Sequence, residues 1–278
     1  GTIAFISGIY EELLNSISSF NFSLLKVFRK EGFKQVWNTV NGPFLLALFI
    51  GISVSVLSLA KLIATLLENH PIVIWSFFFG LVLASIIYIG KQITKWTIGS
   101  VLCLIFGVIL AFYITTLNPM VSENSSLWFL FLSGMIAICA MILPGISGSF
   151  ILVLLGAYKP VLNALNTRDF FSIIVFMLGA VVGLLTFSRI LKWLFFTYKN
   201  YTLATLTGFI IGSLNKIWPW QEIISWRTNS KGIEVPLNTT SVSPFSFEGD
   251  SQLMMAILLA IIGFGLILLL EKLAVKKD

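Results

Sequence analysis

The chain has 278 residues, 57% of them hydrophobic and only 11% charged, with a net charge of +6. Apolar runs this long and this free of charge exclude an ordinary soluble domain and predict an all-α, polytopic membrane protein. The positive balance would point to nucleic acid in a soluble chain, but here the basic residues cluster in short loops, where they report topology, so no nucleic-acid partner is expected. Cys103 and Cys139 sit within apolar runs at no metal-ligand spacing, and His70, the single histidine, falls in a loop. Neither a disulfide framework, a metal site nor a cofactor is expected.

In chain order, Glu11–Asn41 mixes Lys26, Arg29, Lys30 and Lys34 with Leu24, Leu25, Phe28, Phe33, Val36 and Trp37 at nearly helical spacing, which reads as an interfacial amphipathic segment. Phe44–Leu67, Ile72–Gly90 and Ile98–Thr116 each suit one crossing. Two shorter runs follow, Leu127–Leu143 and Ile151–Leu165, joined by Pro144-Gly145-Ile146-Ser147-Gly148-Ser149-Phe150. Proline lacks an N–H and the two glycines leave the backbone bare, a break tolerated at membrane depth only beside protein or water. The segment reads as a re-entrant hairpin; the alternative is a continuous helix kinked at Pro144. Turn amides flanked by serine hydroxyls form a donor cluster suited to an anion, and a helix starting near Ser149 would add its positive dipole end. Phe171–Phe195, Thr202–Trp218 and Leu253–Leu270 complete the apolar segments. Trp218, Pro219, Trp220 and Trp226 resemble an interfacial aromatic belt, and Arg227–Asp250 reads as an exposed polar loop.

The chain repeats itself. Without gaps, Ile3 aligns with Ile151, Gly8 with Gly156, Tyr10 with Tyr158, Leu14 with Leu162 and Asn15 with Asn163. A second alignment pairs Gly51 with Gly179, Lys61 with Arg189, Leu66 with Leu194, Gly80 with Gly208 and Ser85 with Ser213. Residues 1–126 and 127–278 therefore read as two copies of one unit within a single membrane domain, each a hairpin plus three spanning helices. Three is odd, so the second copy is expected to be inverted relative to the first. In this register the first copy of the turn would lie upstream of Gly1.

Charge placement discriminates between hairpin and crossing. With a hairpin, the basic linker, Lys91, Lys95, Lys192, Lys199 and the C-terminal Lys272, Lys276 and Lys277 all fall on one side, predicted cytoplasmic. With a crossing at Leu127–Leu165, the last five move outside. The hairpin is favoured, with only Arg168 counting against it.

Pro144-Gly145-Ile146-Ser147-Gly148, the following Gly156-Ala157-Tyr158, and Gly1-Thr2-Ile3-Ala4 leading to Gly8-Ile9-Tyr10 together resemble the bacterial polyprenyl-phosphate transporter family. The resemblance implies a multi-pass protein of the cytoplasmic membrane that carries undecaprenyl phosphate or a related polyprenyl phosphate and returns this cell-wall lipid carrier to the inner leaflet. A phosphate crossing hydrocarbon unaided would cost on the order of tens of kcal/mol, whereas a prenyl tail needs no help. The headgroup contacts are therefore expected from Gly1, Thr2, Gly145, Ser147, Gly148 and Ser149, with Lys61 and Arg189 as countercharges. The alternative for each cation is to snorkel to its nearest interface. Tyr10 and Tyr158 are candidate donors to phosphate or else hairpin packing groups, and Glu11 and Glu12 are candidates for proton coupling or else a solvated helix end. A membrane-embedded polyprenyl-pyrophosphate phosphatase is the alternative function. Its turn, however, continues Arg-Ser-Gly where this one reads Gly148-Ser149-Phe150, and residues 127–165 contain no Asp, Glu or His.

Overall fold

The computed structural model describes residues 4, 7–21, 23–118, 126–228 and 234–275. After α1 (Tyr10–Ser18) and α2 (Ser23–Thr39) come three long apolar helices, α3 (Gly42–Asn69), α4 (Pro71–Lys91) and α5 (Ile98–Thr116). Next are α6 (Leu127–Ile142), α7 (Gly148–Leu154) and α8 (Tyr158–Asn166), then α9 (Phe170–Thr197) and α10 (Lys199–Ser213). A 3-10 turn (Leu214–Ile217), an antiparallel hairpin of β1 (Gln221–Thr228) and β2 (Glu234–Ser241), and α11 (Leu253–Val275) complete the order.

Five helices, α3, α4, α5, α9 and α11, are long and apolar enough to cross a membrane. The sixth expected crossing, Thr202–Trp218, forms instead the 15-residue α10 capped by the 3-10 turn. Helix and turn together rise about 30 Å, enough to span. Ten α10 residues, among them Leu203, Leu206 and Ile210, are buried, so this helix is the axis of the bundle. The amphipathic segment is helical but kinked at Gly32, with Leu25, Phe28 and Phe33 exposed as an interfacial helix requires.

Glycines set the helix packing. A methyl at Gly208 would lie 2.2 Å from the Leu104 carbonyl oxygen, and one at Gly107 would lie 2.4 Å from that of Thr205, so α10 and α5 touch through their backbones. Gly80 against the Ala260 carbonyl and Gly263 against that of Phe77 join α4 to α11 in the same way. Gly179 and Gly183 of α9 meet the carbonyls of Phe131 and Met135 of α6, a contact that advances in the same direction along both helices. Because α6 and α9 run parallel, Leu127 and Phe170 start at the same end of the bundle. The chain between them must enter and return, which is the hairpin.

The return limb is not the single run that Ile151–Leu165 implies. It is α7, a break at Leu155–Ala157, and α8 bent away by 106°. Gly156 makes this bend at φ +72, and Gly8, its partner in the sequence repeat, stands at φ +73 before α1. Helices α1 and α8 each have nine residues. The register that pairs Gly51 with Gly179 carries the bounds of α3 onto those of α9 without a shift. Both have 28 residues and end on similarly turned residues, His70 (φ −138, ψ 56) and Tyr198 (φ −133, ψ 48).

One end of the bundle gathers Lys91 with Glu271 (3.7 Å), Lys199 with Glu11 (2.9 Å), and Thr94, whose amide donates to Asn200 Oδ1 at 3.1 Å. At the other end, Trp220 packs with Ile72 and Ala256 and donates to the Ser251 carbonyl, while Trp218 donates to that of Val242. Trp218 and Trp220 therefore clamp the polar connection onto the helix ends rather than forming a lipid-facing belt; Trp226 alone of the three is exposed. The stretch read as an exposed loop contributes β2 of a two-stranded ribbon, because strand pairing satisfies its backbone.

Candidate anion-binding site

The turn between α6 and α7 is held from three sides. Pro144 is fully buried. Gly145 stands at φ +90, a conformation glycine adopts without strain, with its α-carbon against α10: a methyl there would lie 2.6 Å from Ser213 Oγ and 3.1 Å from the Phe209 carbonyl. Gly148 packs on the descending limb, where a methyl would come 2.9 Å from the Ala137 carbonyl. Ile146, Phe150 and Ile114 of α5 all pack against the core of Ala140, Ile151 and Leu154.

Those contacts leave the hydroxyls outward. Ser147 and Ser149 are exposed, and their Oγ atoms lie 2.9 Å apart. Ser147 is the N-terminal flanking residue of α7 but makes no side-chain cap bond. With seven residues, α7 is too short for a substantial dipole, so the hydroxyls and the local backbone, not a long helix end, define the donor cluster.

Tyr10 reaches this site from α1. Its Oη donates to the Ile142 carbonyl at 3.3 Å, its ring meets Phe195 edge-on at 5.8 Å, and it is 2% exposed. The start of α1 and the end of α6 thus meet beside the turn, with Tyr10 as packing and linking group. Tyr158 is half-buried at the start of α8. Gly1 and Thr2 lie outside the described residues.

Lys61 and Arg189 stand apart from the turn. Lys61 is exposed on α3. Arg189 is exposed on α9, and its Nη2 donates to the Phe20 carbonyl at 2.6 Å beside an apolar groove lined by Leu24, Leu25, Val182 and Leu185. Glu11 pairs with Lys199 in a cavity of about 210 Å³ that also includes Asn15 and Lys192, and Glu12 accepts from Asn41 Nδ2 at 2.7 Å. One basic side chain that sequence reading passed over contacts the turn segment. Lys216 Nζ lies 5.2 Å from the centre of the Phe150 ring. Its signal was a lone lysine inside an otherwise apolar segment.

A bundle of long apolar helices around α10, with a bent helical hairpin packed into it, defines a polytopic membrane protein. The chain belongs to the undecaprenyl phosphate translocase-like family, whose model matches residues 1–235. It is 51% identical over 280 residues to a protein of Vibrio cholerae named polyprenyl-phosphate transporter, covering 99% of this chain and 91% of that protein. A Staphylococcus aureus protein of the same name is 30% identical over 202 residues, covering 66% of this chain and 71% of its own length. No solved structure matches the chain.

Proposed function

We infer that this protein is a transporter, not an enzyme, and that it moves a polyprenyl phosphate between the leaflets of the membrane. The observation that carries the reading is the Pro144–Ser149 turn. It presents two exposed hydroxyls and an irregular backbone on an otherwise apolar bundle, where a phosphate needs partners and a prenyl tail does not. Undecaprenyl phosphate is the lipid we assign, and its return to the inner leaflet of the cytoplasmic membrane for cell-wall synthesis is the net flow we assign. The family membership and the names of both relatives support this.

Residues 1–126 and 127–278 act, in this proposal, as two repeats of inverted orientation. The coincident bounds of α3 and α9, the matching bends at Gly8 and Gly156, and the similar glycine contacts in the α4–α11 and α5–α10 pairs support it. The end carrying Lys91, Lys199 and Glu271 is cytoplasmic, as is the C-terminus, by the positive-inside rule. The headgroup site comprises Gly145, Ser147, Gly148 and Ser149, joined by Gly1 and Thr2 from the first repeat and closed by Tyr10 and Tyr158. Lys61 and Arg189 receive the phosphate at the two faces rather than at the turn. Glu11, in its cavity with Lys192 and Lys199, is the carboxylate placed for coupling to a proton.

The test is reconstitution in liposomes, with leaflet exchange of a polyprenyl phosphate and phosphate release from its pyrophosphate form followed in parallel. Exchange without release supports the reading; release of inorganic phosphate from the pyrophosphate form would make the protein a phosphatase.

A further inference from the structure

Between the hairpin turn and the β-ribbon lies a cavity of about 330 Å³. Phe150 of the turn segment, Phe112 and Thr116 at the end of α5, Asn215 and Lys216 of the 3-10 turn, and Ser241 of β2 line it. Lys216 follows Ser213, the residue packed against Gly145, by three positions of 3-10 geometry, which places it roughly 6 Å from the level of the turn toward the ribbon end. The cavity therefore lies on the ribbon side of the turn and meets the turn segment at Phe150.

The Thr116 hydroxyl is spent on the Tyr113 carbonyl. Ser241 Oγ lies 2.7 Å from Asn215 Oδ1 and 3.0 Å from the Asn215 carbonyl. The Asn215 amide oxygen is thus an acceptor for Ser241, which leaves the amide N–H groups as the donors this side chain can offer a ligand. Lys216 adds an ammonium over the Phe150 face, an attractive contact for a cation. Neither ion pair among the described residues involves Lys216. A half-buried ammonium beside an oriented amide, without a carboxylate partner, suits a compact anion with several acceptor oxygens.

We propose that this cavity is the entry site for the phosphate headgroup on the extracytoplasmic side, where Lys216 and Asn215 hold the phosphate before it passes Phe150 to Ser147 and Ser149. The proposal rests on the transport reading above and adds to it a binding residue and an order of contacts. A lipid headgroup and free phosphate share the recognised chemistry, and the site admits both.

The experiment uses proteoliposomes of uniform orientation with a fluorescent polyprenyl phosphate supplied in the extracytoplasmic leaflet. Lys216→Gln is expected to raise the lipid concentration for half-maximal exchange by roughly ten- to hundredfold, the span of one hydrogen bond to a charged group, with the maximal rate nearly kept. Lys216→Arg restores most of the loss. Inorganic phosphate on that side inhibits the wild type and loses its effect on Lys216→Gln. In a second measurement, Lys216→Cys reacts with an anionic thiol reagent, and polyprenyl phosphate slows the reaction. If wild-type protein exchanges the lipid and folded Lys216→Gln matches it at every concentration, the entry site is overturned and the transport reading stands. If the wild type exchanges nothing while the lipid still protects the thiol of the Lys216→Cys variant, the transport reading falls and the binding site stands. No protection and no change in half-saturation overturn the site outright.

Discussion

Replacing Gly145 by alanine tests whether the shape of the turn sets the headgroup site. At φ +90 a side chain forces the backbone into a region that costs about 1–2 kcal/mol. The new methyl also falls 2.6 Å from Ser213 Oγ. That hydroxyl donates to the Ile210 carbonyl at 2.8 Å, and displacing it forfeits a bond worth about 1 kcal/mol. Together these effects cost about 2–3 kcal/mol. If they are relieved by moving Ser147 and Ser149 out of place, exchange slows roughly thirty- to hundredfold. The assay is leaflet exchange of a fluorescent polyprenyl phosphate in liposomes, normalised to folded protein by size exclusion and thermal unfolding. Two comparisons separate the causes. Gly8→Ala, at φ +73 with nothing within 4 Å, carries backbone strain without the clash, and Gly51→Ala, in open space, should behave as wild type. Adding Ser213→Ala to Gly145→Ala removes the closest clash and should recover several-fold. Wild-type exchange by folded Gly145→Ala refutes the claim that the turn geometry sets the site.

Ser147→Ala and Ser149→Ala each remove one exposed hydroxyl of the pair, so folding should be unaffected while exchange falls roughly tenfold for each lost bond to the charged headgroup; wild-type rates in both variants would reduce the turn to a structural role. Lys61→Gln should slow capture at the extracytoplasmic face and Arg189→Gln capture or release at the cytoplasmic one, with Arg189→Lys intermediate because it keeps the charge but not the planar fork. If both Gln variants match wild type, the two residues are interface anchors only. Cysteines placed at Ser126 and Arg168, which flank the hairpin, should react with an impermeant thiol reagent from one and the same face; labelling from opposite faces would show a full crossing.

Much of this protein was legible in its sequence because lipid is a simple solvent. It demands long apolar helices and internally satisfied backbone, so the crossings, the break at Pro144 and the basic end could be read one residue at a time. The internal similarity that pairs Gly8 with Gly156 and Gly51 with Gly179 could also be read there, since it depends only on residue identity. Tertiary structure decided what depends on distance between segments. Nothing local marks the polar connection after Trp226 as a β-ribbon, because strand 221–228 gains its partner only from 234–241. Nothing local bends the return limb by 106°, although Gly156, at φ +72, allows it. Lys61 and Arg189 occupy equivalent positions by alignment and are both exposed, while Lys216 is brought onto Phe150 by the packing of α10 against α5. Helix propensity and hydropathy choose the segments; which side chains share a cavity is fixed by glycine-mediated contacts between helices far apart in the chain, and those appear only when the chain is folded.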